Sequence, residues 1–132
     1  MTPAVVDTDV ISFLFKNDRR AQLYLPLLQH RKLLVSFMTE AEQEQWIVLA
    51  NWGADRIQRF HEFKKGFAAL PSSRDLILRW AEVMAAARAN GRRIEASDAW
   101  IAATALLYGA DLVTHNPKDY LGVPNLTVLS CS

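Results

Sequence analysis

The sequence predicts an α/β fold in which a central parallel sheet is wrapped by helices. Short apolar runs of strand length recur at Ala4-Val5-Val6, Leu33-Leu34-Val35, Asp111-Leu112-Val113-Thr114 and Leu126-Thr127-Val128-Leu129. The stretches between them read as helical and are too long for hairpins, so successive strands must return in parallel. Composition agrees with this. At 51% hydrophobic and 22% charged residues the chain should fold around a core rather than stay disordered, and its 132 residues suit one domain spanning 1–132.

The elements follow in order. Ala4-Val5-Val6 ends at Asp7, and Asp9 is placed to N-cap a first helix through Val10, Ile11, Phe13 and Leu14 that closes at Lys16-Asn17-Asp18. A second helix carries Ala21, Leu23, Tyr24, Leu27 and Leu28, with Pro26 inside it. After the Leu33–Val35 run, Ser36 is a cap, and Thr39 with Glu42 forms a capping-box pattern. From Thr39 to Asn90 the chain reads as helical throughout, divided by Gly53, Gly66 and Pro71-Ser72-Ser73, with Gly91 at a C-cap. Ser97 should cap a helix over Asp98–Tyr108 that stops at Gly109.

Several classes are excluded. Fifteen basic against fourteen acidic residues leave a net charge of +1, which is neither a basic tail nor a polybasic membrane binder. A local basic rim could still meet nucleic acid. No apolar run approaches the roughly 18–20 residues of a membrane span, and the N-terminus shows no secretory pattern. Cys131 is the one cysteine, so neither a disulfide framework nor a cysteine-ligated zinc site can form, and a cytoplasmic setting is expected.

The acids are the informative residues. In an open parallel sheet, ligands bind outside the carboxyl ends of the strands. Asp7 follows the first strand directly, whereas Asn116 and Asp119 lie just past the strand ending at Thr114. On the helix after Ser36, Met38, Ala41, Gln45, Leu49 and Trp52 share a face at roughly 100° per residue. Glu42 lies near that face, while Glu40 and Glu44 fall on the far side. A carboxylate turned toward a core needs a cation or hydrogen bonds, so Glu42 either caps reciprocally with Thr39 or serves a metal. Asp98 opens an almost wholly apolar helix, where it either complements the helix dipole or faces the strand-end crevice. Four acids from separated segments, without a Ser/His/Asp set or a cysteine nucleophile, suit a hard cation such as Mg²⁺ or Mn²⁺. Phosphoryl transfer and phosphodiester hydrolysis use open acidic sites of that kind.

These residues resemble the motifs of the PIN-domain nucleases. Val5-Val6-Asp7-Thr8-Asp9-Val10 is similar to the family's opening hydrophobic-D-T-N-V, and Ser36 to Glu42 to its S-x-x-T-x-x-E. Asp98-Ala99-Trp100-Ile101-Ala102-Ala103-Thr104-Ala105 resembles D-x-x-I-A-A-T-A, and Leu112 to Tyr120 resembles L-V-T-x-N-x-x-D-F. The four occur in family order across nearly the whole chain. The resemblance implies a PIN-like sheet of about four to five short strands. Size and the lack of further domains look most like VapC-type toxins, which implies a Mg²⁺- or Mn²⁺-dependent endoribonuclease, usually a homodimer, neutralised by a VapB-like antitoxin. On that resemblance Asp7, Glu42, Asp98 and Asp119 form the catalytic, metal-holding pocket, and cleavage leaves a 5′-phosphate and a 3′-hydroxyl. Thr114 and Asn116 support the pocket or approach the substrate phosphate, and whether Asn116 or Asp119 lies nearer the metal stays open. Asp9 stands where the family usually has Asn, which implies a more acidic pocket.

RNA approaching such a pocket needs cations at the rim. Lys16, Arg19, Arg20, Arg92, Arg93 and Lys118 are candidates, with Lys118 and Arg93 preferred as substrate contacts because they lie within a few residues of pocket acids. The four tryptophans read as core or subunit interface, and His115 as a bystander. Val10, Phe13 and Leu14 with Leu23, Leu27 and Leu28 read mostly as core, part of which could seat a helical antitoxin. Two other readings compete with this one. A non-catalytic PIN-like module binding RNA or protein would not need all four acids. A dehalogenase-like phosphatase using Asp7-Thr8-Asp9 would need a later lysine and a paired acidic motif that are not evident. A dinucleotide fold is excluded because no G-x-G-x-x-G follows the first strand.

Overall fold

The computed structural model describes all 132 residues, Met1–Ser132. Five strands, β1 (Ala4–Val6), β2 (Leu33–Ser36), β3 (Ala68–Leu70), β4 (Asp111–Val113) and β5 (Val128–Leu129), form one sheet in the order β3-β2-β1-β4-β5. Every pairing is parallel; Ala4 lies opposite Leu33 on one side and Asp111 on the other. From β1 the chain builds outward through β2 to β3, then crosses back to lay β4 against the other side of β1. The strand order therefore reverses between β1 and β4, and a crevice opens above their carboxyl ends.

Helices α1 (Thr8–Lys16), α2 (Ala21–Leu28), α3 (Phe37–Leu49) and α4 (Ala54–Lys64) precede β3, and α5 (Arg74–Ala89) and α6 (Ala96–Leu107) precede β4. None is long and apolar enough to cross a membrane. Strand alternation divides the core. Val5, Leu34 and Leu112 pack on one face with Leu76 and Val83 of α5 and Ile101 and Ala105 of α6. Ala4, Val6, Val35 and Val113 point the other way, onto Val10, Ile11, Tyr24, Ile47 and Phe60 from α1 to α4. A fully apolar strand with helices on both faces is the arrangement that all-parallel sheets require. Helix α6 is buried nearly all round, as its composition predicts, because alanines at 99, 102, 103 and 105 let it lie close to the sheet and α5.

Several sequence expectations need correction. β3 lies inside the stretch read as helical throughout. Its Ala-Ala-Leu has no β-branched residue to signal a strand, and pairing with β2 alone holds it at the edge. Asp7 and not Asp9 caps α1, and Glu95 and not Ser97 stands at the cap of α6. Ser36 does cap α3, accepting from the Met38 amide at 3.1 Å. The buried face of α3 is Thr39, Gln43 and Ile47, whereas Ala41, Gln45 and Leu49 of the expected apolar face are exposed. Glu42 instead stands on the flank of the buried stripe that turns toward α1.

A short 3₁₀ turn, Pro117–Tyr120, follows β4 and carries the last acidic motif. Its exit is fixed by a close backbone approach. A Cβ at Gly122 would collide with the carbonyl oxygen of Arg92 and press its Cβ at 3.0 Å, while the Gly122 carbonyl accepts from Asn90 Nδ2 at 3.1 Å. Gly122→Ala should therefore destabilise the protein by about 1–3 kcal/mol, read as a lower urea midpoint at unchanged slope. A wild-type midpoint would mean that the Arg92 segment yields freely.

Candidate active site at the strand-order reversal

The crevice between β1 and β4 is where the acids meet. Asp7 leaves the end of β1, its amide bonded to the Val113 carbonyl of β4 at 2.9 Å, and is only 7% exposed. One carboxylate oxygen accepts from the Thr8 amide at 2.7 Å. The other accepts from the hydroxyls of Thr114 and Tyr120, each at 2.8 Å. Hydrogen bonds of this kind favour the carboxylate. Burial outweighs them, and with the neighbouring Asp9 charge it lifts the Asp7 carboxyl to about 7.

Tyr120 also lies 3.4 Å from Asp98 Oδ1, so one buried phenol spans the two acids. Burial raises this phenol far above its ordinary value, and the Asp7 charge adds to the rise, so it remains a proton donor. Asp98, in the first turn of α6, is pushed up to about 6 by burial, then by the charges of Asp119 and Glu42. Asp119 and Glu42 thus lie in Asp98's electrostatic neighbourhood, although they come from the 3₁₀ turn and from α3. Asp119 itself is exposed.

Two threonines of α1 and α3 orient the third acid. The Thr8 hydroxyl donates to Glu42 Oε1 at 2.8 Å and lies 3.1 Å from the Thr39 hydroxyl. Glu42 thus turns toward Thr8 rather than back onto its own helix, so reciprocal capping with Thr39 is not what holds it. Asp9 closes the set. Its Oδ2 accepts from the His115 amide at 3.1 Å and Asn116 Nδ2 at 2.8 Å, which ties the β4 loop to α1.

Of the residues expected to meet substrate, Thr114 is fully buried and its hydroxyl is engaged with Asp7 and the Asn116 amide. It positions and does not face outward. Asn116 and Lys118 are exposed beside the acids on the β4 loop and 3₁₀ turn. Arg93 lines a separate groove with Met84, Ala85, Arg88 and Ile94, which shares no residue with the acids. His115 is more than a bystander in packing. Its ring meets the Tyr24 hydroxyl through Nδ1 and stands edge-on to Phe13 at 5.0 Å, anchoring the loop that serves Asp9. Sequence reasoning passed over Thr8 and Tyr120. Each adjoins a candidate acid, and Tyr120 carries a hydroxyl where the resembled motif has Phe.

The electrostatics are one-sided. The protein's five ion pairs engage none of Asp7, Asp9, Glu42, Asp98 or Asp119. As the side chains stand, no group of three or more acidic, histidine or cysteine residues is placed to hold a metal ion. The acids near the β1–β4 crevice offer oxygen ligands only, and no lysine or arginine pairs with them. That donor set fits Mg²⁺ or Mn²⁺, which take a few carboxylates and leave positions for water and phosphate oxygens.

The PIN domain family model matches residues 4–121. Ribonuclease VapC1 of Haemophilus influenzae (strain R2866) is 27% identical over 124 residues, covering 92% of each chain. Among solved structures, VapBC-1 from nontypeable Haemophilus influenzae superposes with a TM-score of 0.81 at 26% identity over 96% of each chain. VapBC-5 from Mycobacterium tuberculosis, a member of the VapBC family of toxin-antitoxin systems, gives 0.72 at 27% identity over 98% of each.

Burial of Asp7 has a consequence for stability. Between the ordinary carboxylate value of 3.8 and about 7 the native state keeps a proton that the unfolded chain has released. Stability held by the protonated form is thus full below about pH 4 and lost as pH rises through about 7. Asp7→Asn, which keeps the shape without the charge, should unfold at higher temperature than wild type near pH 8 in chelator. The difference, on the order of a few kcal/mol, should close toward pH 4. A difference that does not change with pH in scanning calorimetry would contradict this.

Proposed function

The chain belongs to the PIN domain family, and on that premise we propose that it is a Mg²⁺- or Mn²⁺-dependent endoribonuclease of the VapC toxin type. The observation that carries the reading is the set of uncompensated carboxylates centred on Asp7 and Asp98 and joined through the Tyr120 hydroxyl. The relative named Ribonuclease VapC1, which matches along 92% of its length, supports RNA as substrate.

In this mechanism Asp7, Glu42, Asp98 and Asp119 would hold the cation. When bound, it supplies Lewis-acid charge that lowers the pKa of a water and offsets charge developing on the attacked phosphate. The protein supplies the rest. Thr114 and Tyr120 fix the Asp7 carboxylate by its second oxygen, leaving it no freedom to turn away. Thr8 aims Glu42, whose other carboxylate oxygen is left to face the cation. Asn116 holds Asp9 against the β4 loop, and Lys118 on the neighbouring turn meets a substrate phosphate. Hydrolysis leaves a 5′-phosphate and a 3′-hydroxyl.

The same reading supplies partners. The VapBC structures that resemble this chain support a VapB-like antitoxin, and the proposal includes a homodimer and a cytoplasmic setting. An apolar groove of about 690 Å³ lined by Leu14, Leu25, Pro26, Leu33, Phe63 and Phe67 is a fitting seat for an antitoxin helix. It includes Leu14 and Leu28 of the stripe expected from sequence and adds residues of α4 and the turn after it.

Cells briefly expressing wild type or Asp7→Asn should differ in transcriptome-wide maps of 5′-monophosphate RNA ends. A small set of sharp ends with wild type only, and a loss of about 100-fold or more in the variant, is expected. Identical maps from two soluble, folded proteins would point to a non-catalytic binding module.

A further inference from the structure

A cleft of about 420 Å³ runs from the acids along the space between α1 and α3. Thr8, Asp9 and Glu42 line its inner end. One helical turn further along, Ser12 and Phe13 of α1 and Gln45 and Trp46 of α3 line the remainder. A turn of helix advances about 5.4 Å, so Trp46 stands about one nucleotide's reach from Glu42.

The four tryptophans differ in what covers them. Trp80 and Trp100 stack on each other at 4.8 Å and 17°. Trp52 is stacked on Phe15 and covered by the Arg56 guanidinium at 4.1 Å. Trp46 is half-buried, leans on the Trp52 ring at 5.9 Å and 39°, opens on the cleft, and carries the Lys16 ammonium 4.7 Å from its ring centre. Lys16 forms no ion pair. Nearby Arg20 is already neutralised, gripping Asp18 through Nε at 2.9 Å and a terminal nitrogen at 2.8 Å. The cleft thus has carboxylates at one end, an aromatic wall in the middle, and at the far end a free cation on a flexible stem.

We propose that this cleft is the subsite for an RNA nucleotide flanking the scissile phosphate, with its base stacked on Trp46 and its distal phosphate taken by Lys16. The assignment rests on the nuclease reading above. With the scissile phosphate held at the cation, Asp9 and Glu42 along the inner end of the cleft repel a second phosphate but not a neutral base, so the order is phosphate, base, phosphate. Lys16 leaves the ring as the base arrives and exchanges a cation–π contact for a phosphate. The Ser12 hydroxyl and the Gln45 amide can each donate and accept at the base edge.

The test uses the full chain and a random-sequence single-stranded RNA pool containing 5-iodouridine, which couples on irradiation to an aromatic ring stacked on it. With Asp7→Asn protein, so that the RNA is not cut, peptide mass spectrometry should place the cross-link on Trp46. Anisotropy with the same pool should show about a tenfold or greater loss of affinity for Trp46→Leu and near-wild-type binding for Trp46→Phe. Lys16→Gln should flatten the log–log salt dependence by about 0.7, a change that mere loss of packing would not produce. Cross-links elsewhere, with all three variants binding as wild type, would overturn the subsite and leave the nuclease reading standing. Failure of the wild type either to bind or to cleave the pool would remove both.

Discussion

A carboxylate buried at the end of the central strand, with three hydrogen-bond donors and no cation, is the constraint on which the other features of this molecule depend. Burying a charge in this way is costly unless a partner compensates it. Asp7 is held where that cost is incurred because its neighbours leave it no alternative. Its amide completes the pairing of β1 with β4, one oxygen caps α1, and the other is fixed by hydroxyls from β4's exit and from the 3₁₀ turn. The reversal of strand order supplies the location, since only there does a crevice open above two adjacent parallel strands whose connections leave in opposite directions.

The surrounding polar residues then act as struts between elements distant in sequence. Tyr120 joins the last acidic motif to the first and to α6, Thr8 joins α1 to α3, and Asn116 joins the β4 loop to Asp9. Each strut fixes a carboxylate without neutralising it. Ion pairs occur elsewhere, as between Arg31 and Asp111 at 2.9 Å and between Lys64 and Glu40 at 2.9 Å. That the crevice acids are braced yet unpaired is what favours the proposed reading of the site as a receptor for an external cation over a salt-bridge network.

The sequence made the central strands legible because buried parallel strands are short and wholly apolar, a pattern that survives without knowledge of their neighbours. β3 was invisible because Ala68-Ala69-Leu70 becomes a strand through pairing with β2, not through any preference of its own. The face of α3 was misread for a related reason. Trp46, Val48 and Leu49 are apolar yet partly or largely exposed, while Thr39 and Gln43 are buried, so hydropathy pointed to the wrong side. Glu42 was nonetheless picked out, through its place in a motif and its distance from Glu40 and Glu44. The acids could be named because ionised side chains beside apolar segments are conspicuous. Thr8 and Tyr120 were not, because a threonine in a helix's first turn and an aromatic next to an acid have ordinary explanations. Only the fold shows where their hydroxyls go. Proximity in sequence also misled for Arg93, which is five residues from Asp98 and lines a different groove.

Protons released when a divalent cation binds would test most directly whether the crevice is a cation receptor. At about pH 6 the Asp7 carboxyl, lifted to about 7, and the Asp98 carboxyl, lifted to about 6, still hold much of their protons, and a cation must displace them. Titrating Mn²⁺ into the protein by calorimetry, in buffers of different ionisation enthalpy, should give a release of about one proton or more per chain near pH 6, declining toward zero near pH 8. Binding heats independent of the buffer at both values, or no binding at either, would contradict the claim that these carboxylates are kept unpaired for a metal.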